Sequence, residues 1–148
     1  MNKIRYTLLI LLALCLPFLL QACAKQDHRY NDEKRADLMR ESVFVARATY
    51  KETQRLKEGK HIDVVDVRPG YSGKMEHLVV FKIKDFLKGS YPKSEIGAGV
   101  NLPSMAFGIT PDEFAGEKTY TLYVGYSQKH KRNALIGAEW EKIKYGNN

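Results

Sequence analysis

The sequence predicts a mainly β domain, a small antiparallel barrel of five or six strands with one or two short helices, after an N-terminal signal helix. Three observations lead to this fold class. Short runs rich in β-branched and aromatic residues recur along the chain, and turn residues separate them at regular intervals. Only two stretches after the signal have helical character. The chain has 148 residues, which is the length of one ordinary domain.

Six segments have the composition of β-strands. The most regular of them is 76–87, in which Val79 and Phe81 alternate with Val80 and Lys82, so that one face is apolar. In the first segment, alternation places Phe44 and Val45 on opposite faces. The six predicted strands are 42–53, 61–68, 76–87, 97–102, 119–126 and 133–140.

Two segments have helical character. In residues 33–41, charges alternate around Leu38 and Met39, which predicts one or two helical turns with a thin apolar face. Thr110 caps a second, single turn, because Pro111 takes the first helical position and Glu113 follows three residues after the cap.

The N-terminus has the pattern of an export signal. Lys3 and Arg5 form a basic region, and an apolar run follows from residue 8 to residue 20, interrupted only by Pro17. As a helix, this run would span about 20 Å, which is short of the roughly 30 Å hydrocarbon core of a bilayer. The pattern therefore predicts a signal peptide over residues 1–22 and disfavours a permanent membrane span.

The sequence Leu20-Gln21-Ala22-Cys23 resembles the bacterial lipobox, in which an aliphatic residue and a small residue precede an obligatory cysteine. The resemblance implies cleavage between Ala22 and Cys23, transfer of a diacylglyceryl group to the Cys23 thiol, and acylation of its new amino group. Two or three acyl chains anchor a protein stably, whereas one is marginal. The protein is thus expected to be exported and held on a membrane by lipid.

The export signal divides the chain into three expected parts. Residues 1–22 are the signal peptide, residues 23–41 carry the lipidated Cys and a polar tether with the short helix, and residues 42–148 form the barrel domain. In a Gram-negative host, Ala24 in place of Asp favours the outer membrane. Cys15 leaves with the signal, so no intramolecular disulfide can form, which excludes a disulfide-framework toxin or growth factor.

Three segments resemble pieces of the netrin-module family, which includes the tissue inhibitors of metalloproteinases. The matching pieces are 42–49, 80–89, which ends in a Lys-Gly turn, and 114–124, which opens on Phe-Ala-Gly-Glu. Together they cover the chain from about residue 42 to residue 126. The resemblance implies a five-stranded barrel of the OB type.

The activity of the metalloproteinase inhibitors is not expected here. In those proteins, the free amine and carbonyl of an N-terminal cysteine chelate the protease zinc, and disulfides hold that ridge against the barrel. In this chain, Cys23 is expected to be acylated, and the mature chain has no second cysteine. Inhibition by chelation is therefore disfavoured.

No cofactor, metal site or catalytic motif is predicted. His61, Asp63 and His77 could meet if the second and third strands pair, but no Cys and no His-x-x-x-His pattern supports a metal site there. No serine lies in Gly-x-Ser-x-Gly or Ser-x-x-Lys, and the spacing of the carboxylates selects no acid and base pair. An enzyme would have to assemble its site from residues that are distant in the sequence.

The candidate ligand surface combines basic and aromatic side chains on strand faces and one loop. In OB barrels, ligands lie across the central strands and their flanking loops. The predicted surface comprises Lys82, Lys84, Tyr123, Lys129, Lys131 and Arg132. Its expected partners are anionic envelope glycans, lipid head groups or another protein, and export disfavours nucleic acid. The alternative is a solvated basic loop with tyrosines packed at the barrel rim.

Three functions are compatible with the sequence. The first is a non-catalytic binding or accessory lipoprotein on the periplasmic or outer face of the envelope. The second is an exported enzyme with a non-sequential site, and the third is a structural envelope protein that binds other proteins. A pocket with converging titratable groups would favour the enzyme, whereas an exposed aromatic and basic groove would favour the binding module.

Overall fold

In the residues that the structure describes, the strands form a closed six-stranded barrel, and a helix packs on its outside. The computed structural model describes residues 28–68, 75–101, 107 and 118–143. The elements are α1 (Asp32–Glu41), β1 (Phe44–Arg55), β2 (Val64–Asp66), β3 (His77–Lys88), β4 (Glu95–Val100), β5 (Lys118–Ser127) and β6 (Arg132–Lys142). Around the barrel the strands follow the order β1-β3-β4-β2-β6-β5, and β5 pairs back onto β1. The mainly β barrel predicted from the sequence is confirmed.

The sheet is mixed, and the expectation of a wholly antiparallel barrel is wrong for one strand. β1 pairs antiparallel with β3 and β5, and the β3–β4 and β5–β6 pairs are also antiparallel. The short β2 is parallel to both of its neighbours, since Val64 lies opposite Ala98 of β4, and Val65 lies opposite Ala134 of β6. Alternation along a strand predicts which face is buried but carries no information on strand direction.

The barrel interior contains the faces that alternation predicts to be apolar. β1 contributes Phe44, and β5 contributes Tyr120, Leu122 and Val124. Phe107, which lies between β4 and β5 in sequence, is fully buried and packs edge to face on Phe81 at 5.0 Å. The remaining buried members of this core are Ala46, Ala48, Val64, Val79, Ile96, Ala98, Val100, Leu135 and Ala138.

The helix α1 covers part of the outer face of the barrel. The Asn31 side chain caps it by accepting a hydrogen bond from a backbone N–H of the first turn, and Ser42 ends it by donating to the Leu38 carbonyl. Leu38 is only 2% exposed, and it packs with Val45 and Tyr123 in a second apolar cluster outside the barrel. The helix predicted over residues 33–41 is therefore confirmed, with one more residue at its start.

The segment before α1 belongs to the barrel from residue 28 onwards. Because β2 has only three residues, it pairs with only part of β6, and His28 pairs with Trp140 farther along that edge. Two backbone hydrogen bonds of 2.9 and 2.8 Å join these residues, and their rings stack with centroids 4.6 Å apart. The Tyr30 hydroxyl accepts a hydrogen bond from the Ala138 N–H. This part of the predicted tether is therefore folded onto the barrel.

Several expectations concern residues outside the described ranges. The signal peptide of residues 1–22, the Ala22 and Cys23 cleavage and lipidation site, and the helical turn at 110–113 all lie there. In the part of the chain that the structure describes, no helix has both the length and the apolar character needed to cross a bilayer.

Candidate functional site

A groove of about 250 Å³ runs along the outside of the barrel between α1 and the outer faces of β5 and β6. We call it the helix groove. Met39 and Leu87 contribute apolar side chains, and Thr119 and Thr121 contribute hydroxyl groups. The other lining residues are Arg29, Arg35, Tyr123, Glu139, Trp140 and Glu141.

The strand register explains where the helix groove begins. Thr121 of β5 lies between Arg47 of β1 and Glu139 of β6 on neighbouring strands. Residues two apart on a strand share a face, so Thr119 and Tyr123 lie on the same outer surface as Thr121. Leu38 of α1 packs on Tyr123. The groove therefore starts at the point on β5 where α1 no longer covers the outer face of the strand.

Glu139 connects α1 and the N-terminal segment to the barrel at the edge of the groove. It is only 7% exposed, and its carboxylate accepts hydrogen bonds from the Tyr123 hydroxyl at 2.6 Å, the Arg35 Nε at 3.1 Å and the Tyr30 N–H at 3.0 Å. Burial by itself raises the pKa of Glu139, but the hydrogen bonds from Arg35 and Tyr123 outweigh it and hold the pKa below its ordinary range. Glu139 is therefore ionised at neutral pH.

Tyr123 is almost wholly buried at the edge of the helix groove and does not form part of an exposed aromatic surface. Alternation correctly places it on the outer face of β5, but α1 covers that face, and Tyr123 is only 1% exposed. Burial, together with its hydrogen bond to Glu139, raises the pKa of the phenol above its ordinary value. The inclusion of Tyr123 in an exposed ligand surface is therefore wrong.

The basic residues of the predicted ligand surface are exposed but lie in two separate places. Lys82 of β3 is level with Thr49 of β1, which in turn is level with Thr119 at the start of β5. The basic hairpin turn follows Ser127 at the other end of β5. Ser127 is eight positions after Thr119, which corresponds to about 26 Å at roughly 3.3 Å per position. The structure therefore separates Lys82 and Lys84 from Lys129, Lys131 and Arg132.

A second polar cluster centres on Asp63, immediately before β2. Its carboxylate accepts hydrogen bonds from the Tyr91 hydroxyl, from Lys93 Nζ at 2.9 Å and from the Gly97 N–H at 2.7 Å. Burial raises the pKa of Asp63, but the hydrogen bonds from Lys93 and Tyr91 outweigh this effect and lower it. The cluster fastens the segment before β2 to β4, which is a structural role.

The histidines weighed as metal ligands have other contacts. His61 Nε2 lies 2.8 Å from Asp63 Oδ1, whereas His77 Nδ1 lies 3.0 Å from the Asn101 carbonyl oxygen. Across residues 28–68, 75–101, 107 and 118–143, no group of three or more His, Cys, Asp or Glu side chains is placed to hold a metal ion.

The sequence contains one signal for the helix groove that the predicted ligand surface left out. Glu139 is a single carboxylate between Ala138 and Trp140 in a largely apolar strand, and such a residue needs a buried partner. Its partner Arg35 lies 104 residues away in the sequence. The packing of α1 on the outer face of the sheet brings the two side chains together.

Comparison of the chain with protein-family models, with curated proteins and with solved structures finds no match. The resemblance to the netrin module therefore stays a prediction, and the function has to be argued from the geometry of the chain itself.

Proposed function

We propose that the protein is an envelope lipoprotein, anchored through an acylated Cys23, whose barrel is a non-catalytic module that binds a partner in the helix groove. The observation that carries the binding role is the open groove itself, which is lined by apolar, hydroxyl and paired charged side chains. The pKa of Glu139 is lowered and that of Tyr123 is raised, so both move away from neutrality. An acid or base catalyst needs a pKa near the working pH, which disfavours catalysis by this pair.

The lining of the helix groove fits a partner with both apolar and hydrogen-bonding groups. Met39 and Leu87 supply apolar surface, and the latter is 49% exposed although it is large and hydrophobic. The threonine hydroxyls of β5 can donate and accept hydrogen bonds. Arg29 and Arg35 are balanced by Glu139 and Glu141, so the groove has no strong net charge. A segment of another protein fits this lining better than an anionic glycan does.

The strand order supports an OB-type barrel. With β2 set aside, the order is β1-β3-β4-β6-β5, which is the order of a five-stranded Greek-key barrel, and β4 and β6 are parallel through β2. If the barrel is of this type, β2 comes from the loop that follows the first strand and is inserted where the five-stranded barrel closes. An OB-type barrel with this insertion is compatible with the resemblance to the netrin module.

Part of the usual ligand side of an OB barrel, on the outer face of β4, is covered by the chain itself, which favours the helix groove as the binding site. A Cβ on Gly99 of β4 would lie 2.7 Å from the Met75 Sδ and 3.1 Å from the Ile62 Cγ2. Met75 and Ile62 therefore cover the outer side of β4 at this point. The helix groove is on the opposite side of β1 and remains open.

The anchor is tested by mass spectrometry of the mature N-terminus. The expected chain begins at Cys23 and carries acyl groups, and Cys23→Ser prevents both the acylation and the recovery of the protein in membranes. A mature chain that begins at another residue and has no acyl mass contradicts the lipoprotein proposal.

The groove is tested with a photo-crosslinking amino acid placed at either of two positions of similar exposure. Leu87 lines the groove and is 49% exposed, whereas Tyr126 lies near the hairpin turn and is 51% exposed. In intact envelopes, we expect a defined protein adduct from position 87 that disappears when Thr121→Tyr fills the groove, and no such adduct from position 126. Equal crosslinking from both positions contradicts the groove as the binding site.

A further inference from the structure

We infer that the end of the barrel that carries Trp140 and Lys142 faces the anchoring membrane and contacts its lipid surface, while the basic hairpin Lys129–Arg132 points away from it. The inference rests on the proposed lipid anchor at Cys23 and deepens it, because it names the protein surface that meets the lipid. It follows from where the chain joins the barrel, from the length of chain between the anchor and that point, and from the side chains there.

The chain joins the barrel at a fixed point on β6. His28 and Trp140 exchange two backbone hydrogen bonds and stack their rings, and Arg29 Nη2 lies 2.6 Å from Glu141 Oε2. The His28 bridge is antiparallel to β6. At His28, the chain therefore comes from the side of the barrel where β6 ends, at Lys142.

The distance between the anchor and this point is limited by the sequence. His28 is five positions after Cys23, and an extended chain covers at most about 3.3 to 3.6 Å per position, or about 18 Å in all. The lipid attached to Cys23 is in the bilayer. His28, and with it the stacked Trp140, must therefore lie within about 18 Å of the lipid.

The hairpin end of the barrel is too far from His28 to face the membrane while the tether stays relaxed. Tyr120 is directly opposite Trp140, and Ser127 ends β5 seven residues later, about 23 Å along the strand at roughly 3.3 Å per residue. With a strand tilt of about 40°, the separation along the barrel axis is about 18 Å. An inverted barrel would thus need the whole reach of the tether, and a fully extended tether is entropically unfavourable.

The side chains at the Trp140 end suit a lipid surface. Lys118 lies directly opposite Lys142, and its Nζ lies 5.4 Å from the centre of the Trp140 ring. Arg29 adds no net charge there, because it is paired with Glu141 at 2.6 Å. The Trp140 ring itself packs against the barrel core and its Nε1 is buried, so Lys118 and Lys142 are the side chains at this end that can meet the phosphates of lipid head groups.

The orientation also determines what the basic hairpin can bind. Lys129, Lys131 and Arg132 are exposed at the other end of β5 and β6, and they would be held away from the bilayer that carries the anchor. Any anionic partner of this hairpin would then be a molecule in the aqueous phase or on a facing surface.

The test uses two exposed lysines as matched labelling sites in the mature, lipidated protein. The mature chain has no free thiol once Cys23 is acylated, so Lys142→Cys and Lys129→Cys each introduce a single site for a fluorophore. Each protein is reconstituted in vesicles of phosphatidylethanolamine and phosphatidylglycerol with a quencher attached to a head group. We expect quenching at residue 142 to be severalfold stronger than at residue 129, and unlabelled Trp140, the only tryptophan of the chain, to be quenched as well.

The two proposals fail in different ways. Equal quenching at the two sites, or stronger quenching at residue 129, overturns the orientation even if the protein floats with the vesicles and carries acyl groups. If mass spectrometry finds no acyl groups on Cys23, the proposed anchor fails. The orientation is then measured through Trp140 after a maleimide lipid is coupled to Cys23, and absence of Trp140 quenching in that protein overturns it independently.

Discussion

Leu38 of α1 fills the space that Gly137 of β6 leaves open on the outer face of the barrel. A Cβ on Gly137 would lie 2.7 Å from the Leu38 Cδ1 and 3.0 Å from its Cδ2. Leu38 is buried there with Val45 and Tyr123. The missing side chain at residue 137 is thus what allows α1 to lie against the sheet and to form one wall of the helix groove.

Gly137→Ala is expected to lower the free energy of unfolding by about 1 to 3 kcal/mol, the usual cost of overpacking a tight site. Urea denaturation measures this loss of free energy. Leu38→Ala should cost about 2 to 5 kcal/mol by itself, because it removes a buried side chain. The double variant should lose less than the two single losses combined, because the smaller residue 38 makes room for the new methyl group. Strict additivity would contradict direct packing between the two residues.

Gly89→Ala tests the end of β3, where the sequence predicted a Lys-Gly turn. Gly89 has a φ of +64°, and a Cβ on it would lie 2.6 Å from the Val43 carbonyl oxygen. Gly59 is the matched control, because its φ is +79° but no atom lies within 4 Å of the position of its Cβ. Gly59→Ala should cost about 1 to 2 kcal/mol from the backbone alone. Gly89→Ala should lower the free energy of unfolding clearly more than Gly59→Ala does in the same denaturation experiment. Equal losses in the two variants would show that the close contact with the Val43 carbonyl is unimportant.

Lys88→Met tests a cap at the C-terminus of α1. The Lys88 Nζ donates hydrogen bonds to the carbonyl oxygens of Met39 at 2.8 Å and Ser42 at 2.6 Å. Methionine keeps most of the apolar stem but removes the charge and the donors. We expect a loss of about 1 to 2 kcal/mol in thermal or urea unfolding. Lys84→Met, at an exposed lysine of the same strand, should change the stability by less than about 0.5 kcal/mol. Similar effects of the two substitutions would argue against the cap.

Glu139→Gln tests the ionised carboxylate that holds α1 to the barrel. The pKa of Glu139 is lowered in the folded protein, so its charged form stabilises the fold above the ordinary glutamate pKa of about 4.3, and this contribution is lost as the pH falls through the lowered value. At pH 7, the variant should be less stable by about 1 to 3 kcal/mol. The difference between variant and parent should shrink as the pH falls below about 4.

The control for this prediction is Glu141→Gln, which removes an exposed carboxylate two residues further along β6. Its partner is Arg29, and both side chains are about half exposed. Surface ion pairs contribute little, so the expected change is below about 1 kcal/mol at every pH. A Glu139→Gln protein as stable as its parent at pH 7 would mean that the carboxylate does not hold α1 in place.

Charge reversal tests the two basic regions that the structure separates. Lys82→Glu with Lys84→Glu changes one region, and Lys129→Glu with Lys131→Glu changes the other. The regions lie about 26 Å apart along the strands, well beyond the Debye length of about 8 Å at physiological salt. Their effects on retention by an anionic matrix should therefore add independently and shrink as salt rises. Strong coupling between the two pairs of substitutions would indicate one continuous anionic ligand spanning both regions.

The alternation of residues in the sequence was sufficient to predict most of the strands and their inner faces. Val79 and Phe81 occupy the interior as predicted, because each strand of a barrel has one face towards the core, and alternation records that face directly. The helix over α1 was also predicted from its local pattern around Leu38. These features depend on neighbouring residues, so one sequence contains the information they need.

The tertiary structure alone decided which strands are neighbours and what covers their outer faces. The parallel position of β2, the pairing of His28 with Trp140, and the burial of Tyr123 beneath α1 all join segments that are far apart in the sequence. The alternating pattern of a strand is the same whether a helix packs on its outer face or that face is exposed to solvent. The ion pair of Arg35 and Glu139 therefore arises only when α1 packs on the sheet, because that packing brings two oppositely charged side chains together where burial would otherwise disfavour the carboxylate.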